Sequence, residues 1–260
     1  MHKHMSQPDC TDSSNGSRRG DGSLTRIKCQ GCAVRTAALC SEVGDECANA
    51  LGRAFHRRRV PAGQVIYSSD QKSKVFAVII SGVVKLTNVR PDGRQQIVGL
   101  QFPADFVGRP YLGTSNLLAE AASNLELCCF SGDAFESIMH RHPELEGALL
   151  KRTLDSLDNA REWMFMLGRK TAHERVASLI LMIAERMTHP SSRKEPLEIC
   201  RFESPLSRTE MADCLGLRLE TVSRQLAVLK QRGVLASSRN RTFDVRSMSE
   251  LRRWSESPAE

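Results

Sequence analysis

The chain has 260 residues, enough for about two domains, and 40% of them are hydrophobic, so buried cores are expected. Lysine and arginine number 37 against 30 acidic residues, a formal net charge of +7. No apolar run approaches the roughly 18 residues that a membrane span needs, and residues 1–8 lack the apolar segment of a signal peptide. We therefore expect a cytoplasmic protein without membrane contact, in which thiols stay reduced.

The N-terminal part of the chain divides into a polar tail and a segment with cysteines. Residues 1–25 are rich in Ser, Gly, Asp and Arg, which predicts a disordered tail. Residues 26–54 carry Cys29, Cys32 and Cys40. The spacing Cys29-x2-Cys32 brings two thiolates close enough to bind one metal centre. The whole chain has nine cysteines, an odd number that argues against a framework of disulfides.

Residues 55–142 are expected to form an antiparallel β-roll. Runs of β-branched and aromatic residues alternate here with turns at 61–64 and 90–94. Strands this short and evenly spaced are typical of a small barrel or roll. The predicted strands are Val65–Tyr67, Val75–Ile80, Val83–Val89 and Gln95–Leu100.

Residues 143–187 are predicted to be a helical dimerisation region. Apolar or small residues recur there at alternating spacings of three and four, the pattern of a coiled-coil seam, at Leu150, Thr153, Leu157, Ala160, Met164 and Leu167. One long helix packed on its own domain would give the same periodicity. A homodimer joined through Leu150, Leu157, Met164 and Leu167 is the other interpretation.

Residues 188–250 are predicted to form a winged helix-turn-helix, with 251–260 as a tail. Between Arg218 and Arg246 there are seven basic residues and two acidic ones, a cluster that suits contacts with DNA phosphates. A solvated surface face is the alternative interpretation of such a cluster. The winged hairpin is expected from Gly233–Leu235 and Phe243–Val245.

Local signals mark the two helices of the predicted winged helix-turn-helix, residues 188–250, which we call the reader. Ser207 is a plausible N-cap, and Glu210 follows three residues later, as in a capping box. Ala212 and Gly216 are expected where the two helices cross closely, because small side chains are needed there. The second helix is predicted from Leu219 to Gln231, with a core formed by Leu215, Leu217, Val222, Leu226 and Leu229.

The candidate DNA-binding residues lie at the start of the second helix. Glu220, Ser223 and Arg224 share its outward face, and Arg218 immediately before the helix belongs to the same set. A glutamate accepts a hydrogen bond from a cytosine amino group, and an arginine donates two to a guanine. A serine can contact either base edge or a thymine methyl group. Proteins that bind DNA in this way use two-fold symmetry to reach two half-sites, which favours the homodimer for residues 143–187. The chain also lacks a P-loop, a Gly-x-Gly-x-x-Gly and a His-Glu-x-x-His, so an enzyme is not expected.

The order of a β-roll, a long helix and a winged helix-turn-helix resembles the CRP/FNR superfamily of bacterial transcription regulators. The cysteines ahead of the roll and Glu220-Thr221-Val222-Ser223-Arg224 look like its FNR branch, the oxygen-sensing iron–sulfur regulators. The resemblance covers about residues 29–248. It implies an α+β fold, in which a cyclic-nucleotide-binding-like β-roll is followed by a dimerisation helix and the reader.

The resemblance also implies a [4Fe–4S] cluster held by four thiolates, Cys29, Cys32, Cys40 and Cys128. The seven residues between Cys32 and Cys40 resemble the spacing of α-proteobacterial members, whereas the enterobacterial type has five. Adjacent residues on a strand point to opposite faces, so only one of Cys128 and Cys129 is expected to face the cluster. Cys128 is favoured.

The choice of ligands and the kind of metal site both have alternatives. Cys47 is an alternative to Cys40, because both follow Cys32 within reach. A Cys-x2-Cys pair considered alone is more often a zinc site than an iron–sulfur site. Cys200 and Cys214 are expected to be small buried apolar residues.

The function implied by the resemblance is an oxygen-responsive transcription regulator. A cluster bound under anaerobic conditions would stabilise the DNA-binding dimer, and its loss in oxygen would switch binding off. The expected partners are a TTGAT-N4-ATCAA palindrome and RNA polymerase. The stretch Gly108–Ala122 lacks the Arg-Ser pair of cyclic-AMP-binding members, so no cyclic nucleotide is expected. The alternative is a regulator of the same fold that responds to nitric oxide, thiol oxidation or haem.

Overall fold

The computed structural model of the chain describes residues 31–68, 76–110, 115–188, 198–239 and 241–256. The expected disordered tail, residues 1–25, and the expected ligand Cys29 lie outside the described residues. In the described part of the chain, no helix combines the length and the apolar character that a membrane span requires.

A first helix, α1 (Asp45–Ala54), leads into the strands of the N-terminal domain. These strands are β1 (His56–Val60), β2 (Val65–Tyr67), β3 (Phe76–Ser81), β4 (Val84–Val89), β5 (Gln95–Gln101), β6 (Phe106–Val107), β7 (Leu118–Ala121) and β8 (Leu125–Phe130). They form two four-stranded antiparallel sheets with the orders β1-β8-β3-β6 and β2-β7-β4-β5.

Inward-facing side chains of both sheets form the core of this domain. Val60, Ile79, Ala119 and Leu127 are buried in one apolar cluster, as expected when alternate residues of packed strands face each other. The antiparallel β-roll predicted for this region is therefore confirmed.

A helix that was not predicted follows the roll. Helix α2 (Gly132–Arg141) lies within the region predicted as β-roll and buries Phe135, Ile138 and Met139. These side chains belong to a second apolar cluster, which also contains Leu39 of the cysteine-bearing segment. The roll is thus covered on this side by α2 and by residues from near the start of the chain.

The predicted helical region 143–187 contains two helices with different partners. They are α3 (Pro143–Arg169) and α4 (Ala172–Thr188). The break has a local cause, because the backbone N–H and the hydroxyl of Thr171 both donate to the carboxylate of Glu174 and so start a new helix. Helix α4 then packs into the core of the C-terminal domain rather than continuing α3.

The C-terminal domain is a winged helix-turn-helix. Its elements are β9 (Cys200–Glu203), α5 (Arg208–Leu215), α6 (Leu219–Gln231), β10 (Leu235–Arg239), β11 (Thr242–Val245) and α7 (Met248–Glu256). The strands form an antiparallel sheet in the order β10-β11-β9. Helix α6 has the predicted bounds. Of the predicted core residues, Leu215, Val222, Leu226 and Leu229 are buried and Leu217 is partly buried.

Residues 251–256 differ from the tail expected for 251–260, of which the last four lie outside the described residues. Residues 251–256 form the second part of α7, because Leu251 is fully buried in the C-terminal core and Met248 is nearly so. An ion pair between Arg252 and Glu185 also links α7 to α4. These contacts explain why the segment is helical despite its polar composition.

Candidate functional site

Three cysteines from separate segments line one pocket. Cys32 immediately precedes a turn, Cys40 lies in a short 3-10 helix (Leu39–Ser41) and Cys128 lies on β8, and all three are half-buried. The pocket they share has a volume of about 570 Å³. Its apolar wall includes Val34, Ala38, Leu39, Val78, Ile80, Phe130 and Phe135. The pocket therefore combines soft sulfur donors with a largely apolar lining.

The two adjacent cysteines of β8 face opposite sides of their sheet. Cys128 lines the pocket, whereas Cys129 is fully buried in the core between the sheets. Strand pairing fixes this difference, since Cys128 lies opposite Val78 and Cys129 opposite Ala77 on β3. Cys128 is thus the one of the pair that shares a pocket with Cys32 and Cys40.

The remaining described cysteines lie elsewhere. Cys47 is fully buried on α1 and is not among the residues that line the pocket. Burial, together with the charge of Glu144, raises the pKa of Cys47 to about 11. Cys200 and Cys214 are buried in the C-terminal core, and burial raises the pKa of both thiols.

One arginine connects the cysteine-bearing loop to helix α3. The guanidinium of Arg152 donates to the carbonyl oxygens of Ala37 and Ala104, the latter at 3.0 Å. It also lies 2.6 Å from Oε1 of Glu42 in an ion pair. The loop between Cys32 and Cys40 is therefore bonded to the helix directly. No sequence pattern marks this role, because the partners lie far from Arg152 along the chain.

Helix α3 carries an exposed apolar stripe. Of the predicted seam residues, Leu150 and Met164 have exposed fractions of 61% and 64%, and Leu157 is also exposed. Leu167 instead is half-buried and packs against the C-terminal core. Leu154 and Phe165 are exposed as well and were not predicted. Leu154 lies four positions after Leu150 and three before Leu157, so the same helical spacing marks it in the sequence.

Two local features determine where α5 begins and ends. Ser207 Oγ accepts from the N–H of Glu210 at 3.2 Å, and the Glu210 carboxylate accepts from the N–H of Ser207 at 2.8 Å, so the predicted capping box is present. Gly216 ends α5 with a left-handed backbone, φ +60°. A Cβ added there would meet nothing within 4 Å, so close helix crossing is the wrong reason for this glycine. Its backbone conformation is the reason.

The predicted DNA-binding residues share one side of α6. Glu220 and Arg224 are exposed, Ser223 is half-buried and Arg218 is the exposed N-cap residue. The opposite side of the helix is buried in the core, so this side remains available to a partner. The start of a recognition helix is the part that enters a major groove.

The β-roll contacts the reader through a charged network. Nζ of Lys85 on β4 lies 2.8 Å from Glu120 and 2.6 Å from Glu210, the capping residue of α5. Burial of the Glu210 carboxyl group acts to raise its pKa. Hydrogen bonds from Lys85 and Ser207 outweigh this effect and hold the pKa of Glu210 below its usual value. Gln95 on β5 also donates to Asp213 at 3.1 Å. The orientation of α5 thus depends on the roll.

Comparison with known proteins assigns both domains. Residues 57–142 match the family described as cyclic nucleotide-binding domain, and residues 174–254 match the Crp-like helix-turn-helix domain. A probable transcriptional activator from Rhizobium leguminosarum bv. viciae is 43% identical over 88% of this chain and 93% of its own. The transcriptional activator protein FnrL from Cereibacter sphaeroides is 42% identical over 86% of this chain and 90% of its own.

A solved structure supports the same assignment. FixK2 from Bradyrhizobium japonicum is 28% identical, has a TM-score of 0.68, and covers 79% of this chain and 99% of its own. A β-roll joined by a long helix to a winged helix-turn-helix, with these relatives, defines a DNA-binding transcription regulator and not an enzyme. The chain belongs to the CRP/FNR family.

Proposed function

We propose that this protein is an oxygen-responsive transcription activator whose DNA-binding dimer is stabilised by a [4Fe–4S] cluster. The observation that carries the proposal is the shared pocket of Cys32, Cys40 and Cys128, joined through Arg152 to the helix with the exposed apolar stripe. The activator role is supported by the two relatives that bear that description.

The pocket suits the cofactor in its chemistry. Cys32, Cys40 and Cys128 provide three sulfur donors, and Cys29, three residues before Cys32, is the proposed fourth. Cysteine thiolates are the usual ligands of such clusters, and an apolar wall limits access of water. When bound, the cluster supplies an oxygen-labile centre. Zinc is the competing occupant of a thiol site, and the test below separates the two.

Arg152 is the proposed link between the pocket and dimerisation. Ligation of Cys32 and Cys40 would hold the loop between them, including the carbonyl of Ala37 that Arg152 binds. Arg152 lies on α3 between Leu150 and Leu154 of the apolar stripe. An ordered loop would thus favour one position of that helix, and loss of the cluster would release it. The dimer is the two-state element that is biased.

The proposed dimer reads DNA with one α6 from each subunit. Arg224 would donate to a guanine, Glu220 would accept from a cytosine amino group, and Ser223 would contact a thymine methyl. Two-fold symmetry requires a palindromic target, proposed as TTGAT-N4-ATCAA, whose half-sites lie one helical turn apart. As an activator, the protein would contact RNA polymerase from the DNA.

Iron and sulfide analysis of protein purified without oxygen tests this function. We expect about four irons and four sulfides per chain, with a broad absorption that bleaches in air. Haem would give a sharp band and zinc no visible band. Cys32→Ser, Cys40→Ser and Cys128→Ser should each lose the iron, while the matched variant Cys214→Ala should retain it.

Sedimentation and DNA binding complete the test. Air exposure should convert the wild-type dimer to a monomer and abolish binding to the palindrome. Iron retained by Cys128→Ala and lost by Cys129→Ala would overturn the ligand assignment. An unchanged mass and DNA affinity in air would exclude oxygen as the signal and leave nitric oxide, thiol oxidation or haem to be tested.

A further inference from the structure

A second group of potential metal ligands lies outside the cysteine pocket. The ligand atoms of Cys47, His142 and Glu144 all lie within 4.8 Å of one another. Cys47 is on α1, His142 joins α2 to α3, and Glu144 is in the first turn of α3. Two segments about 95 residues apart in the chain thus bring a thiol, an imidazole and a carboxylate together.

The donor set and its spacing suit one small divalent ion. Cysteine sulfur, histidine nitrogen and carboxylate oxygen are the ligands that Zn²⁺ takes in tetrahedral sites. Two ligands of one such ion, with bonds of roughly 2.0–2.3 Å, lie roughly 3.3–3.6 Å apart. Nδ1 of His142 lies 3.6 Å from Oε1 of Glu144. The two distances to Cys47 Sγ are at most 4.8 Å, so side-chain rotations would have to bring the ligand atoms closer by about 1 Å to complete the geometry around an ion.

The site also has a route of entry and an open position. The Glu144 side chain is 43% exposed and that of His142 is 13% exposed, whereas Cys47 is fully buried. An ion would approach from the Glu144 side and meet the thiol at the inner end. Three protein ligands leave the fourth tetrahedral position for water.

A purely electrostatic role for Glu144 is the competing explanation. Its Oε1 would lie 3.9 Å from a Cβ on Gly44, the N-cap of α1, so the carboxylate is close to the positive end of that helix. That role accounts for Glu144. It does not account for the convergence of a buried cysteine and a histidine on the same point.

We propose that Cys47, His142 and Glu144 bind one zinc-class divalent ion, which links α1 to the start of α3. The site is separate from the cysteine pocket and does not depend on the proposed oxygen response. Its occupancy would connect the cysteine-bearing segment to the helix that carries the apolar stripe, through residues other than Arg152.

The test uses the full chain with Cys29, Cys32, Cys40 and Cys128 all changed to serine, which removes the other thiol site. In equilibrium dialysis this background should bind one equivalent of Zn²⁺. Co²⁺ should give the intense ligand-field bands of a tetrahedral site together with sulfur-to-metal charge transfer. The same background should show a higher Tm in Zn²⁺, since an ion that binds only the folded state stabilises it.

Single ligand changes in that background decide the outcome. Cys47→Ala and His142→Gln should each weaken Zn²⁺ binding by on the order of 100-fold and abolish the charge-transfer band or alter it. Glu144→Gln should weaken binding less, because water can replace a carboxylate. The matched controls Cys214→Ala and His140→Gln should bind Zn²⁺ like the background.

Circular dichroism establishes that each variant is folded before binding is measured. A folded background that binds no Zn²⁺ would overturn the proposal, as would full binding by Cys47→Ala. Loss of the iron in Cys47→Ala with the pocket cysteines intact would also overturn it, because Cys47 would then serve the cluster.

Discussion

The cysteine pocket and the helix-turn-helix differ in how completely their side chains are packed. The reader is one continuous segment whose helices share a buried apolar core, and its helix α5 begins with a capping box. The loop from Cys32 to Cys40 buries Val34 and Leu39 in a second apolar cluster and is hydrogen-bonded to α3 through Arg152, but it also lines a pocket of about 570 Å³. A filled core resists local opening, whereas a segment that borders a cavity has fewer packing neighbours and opens more readily. The pocket is therefore suited to respond to a signal and the reader to remain unchanged.

The largest expected effect comes from removing a core side chain of the reader, the more tightly packed of the two regions. Leu226→Ala removes a side chain that is 1% exposed, and the free energy of unfolding should fall by about 2–5 kcal/mol. Leu219→Ala, at a position on the same helix that is 41% exposed, should change it by no more than about 0.5 kcal/mol. Urea unfolding followed by tryptophan fluorescence measures both. If Leu226→Ala lowered the free energy of unfolding much more in iron-free protein than in iron-loaded protein, the pocket and the reader would not be independent.

Removing Arg152 should uncouple the pocket from α3, the proposed dimerisation helix, and so from the DNA-binding dimer. Arg152→Met loses charge-assisted hydrogen bonds of about 1.5–3 kcal/mol, so the difference in dimer affinity between anaerobic and air-exposed protein should shrink by 10-fold or more. Sedimentation equilibrium under both conditions measures this difference. Arg161→Met is the matched control, since Arg161 lies on the same helix in an exposed ion pair with Asp158. Equal behaviour of the two variants would exclude Arg152 as the link.

Changes on the proposed DNA-reading face should alter sequence specificity and leave the proposed response to oxygen unchanged. Arg224→Ala should cost about 1–3 kcal/mol at one base pair and relax specificity there. Lys230→Ala, if this exposed residue meets only phosphate, should weaken binding to all sequences alike and lower the salt slope by about one. Binding to single-base variants of the palindrome separates these patterns. A uniform loss with Arg224→Ala would make that residue a phosphate contact.

The smallest expected effect concerns the contact between roll and reader. The pKa of Glu210 is lowered by Lys85 and Ser207, so its stabilising contribution is full above the ordinary value of 4.5 and is lost as the pH falls through the lowered folded value. Glu210→Gln should cost about 0.5–2 kcal/mol at neutral pH, as for loss of a cap, and flatten this acid dependence.

The control for Glu210 is Glu250→Gln, which removes an exposed carboxylate that forms an ion pair with Arg253 of the same helix. Urea unfolding between pH 3 and pH 7 should show that the unfolding free energy of this variant changes with pH as it does in the wild type. If Glu210→Gln showed the same change as well, the loss of stability in acid would have to be assigned to another group.

Local signals in the sequence determined the reader almost completely. The capping box at Ser207, the bounds of α6 and the outward side of Glu220 and Arg224 depend on residues three or four apart, and these positions interact within one helix whatever surrounds it. Strands β2, β4 and β5 followed from β-branched runs between turns. The family resemblance added the assignment of Cys32, Cys40 and Cys128 as cluster ligands, and this assignment remains a prediction until iron is measured.

Only the tertiary structure decided which side chains meet across long stretches of chain. The pairing of β8 with β3 turns Cys128 to the pocket and Cys129 to the core, and no local pattern distinguishes two adjacent cysteines. The attachment of Arg152 to Ala37, and the meeting of Cys47 with the α2–α3 junction, likewise arise from packing of segments about 95 to 115 residues apart. Such contacts follow from burial of the whole apolar surface rather than from any local propensity.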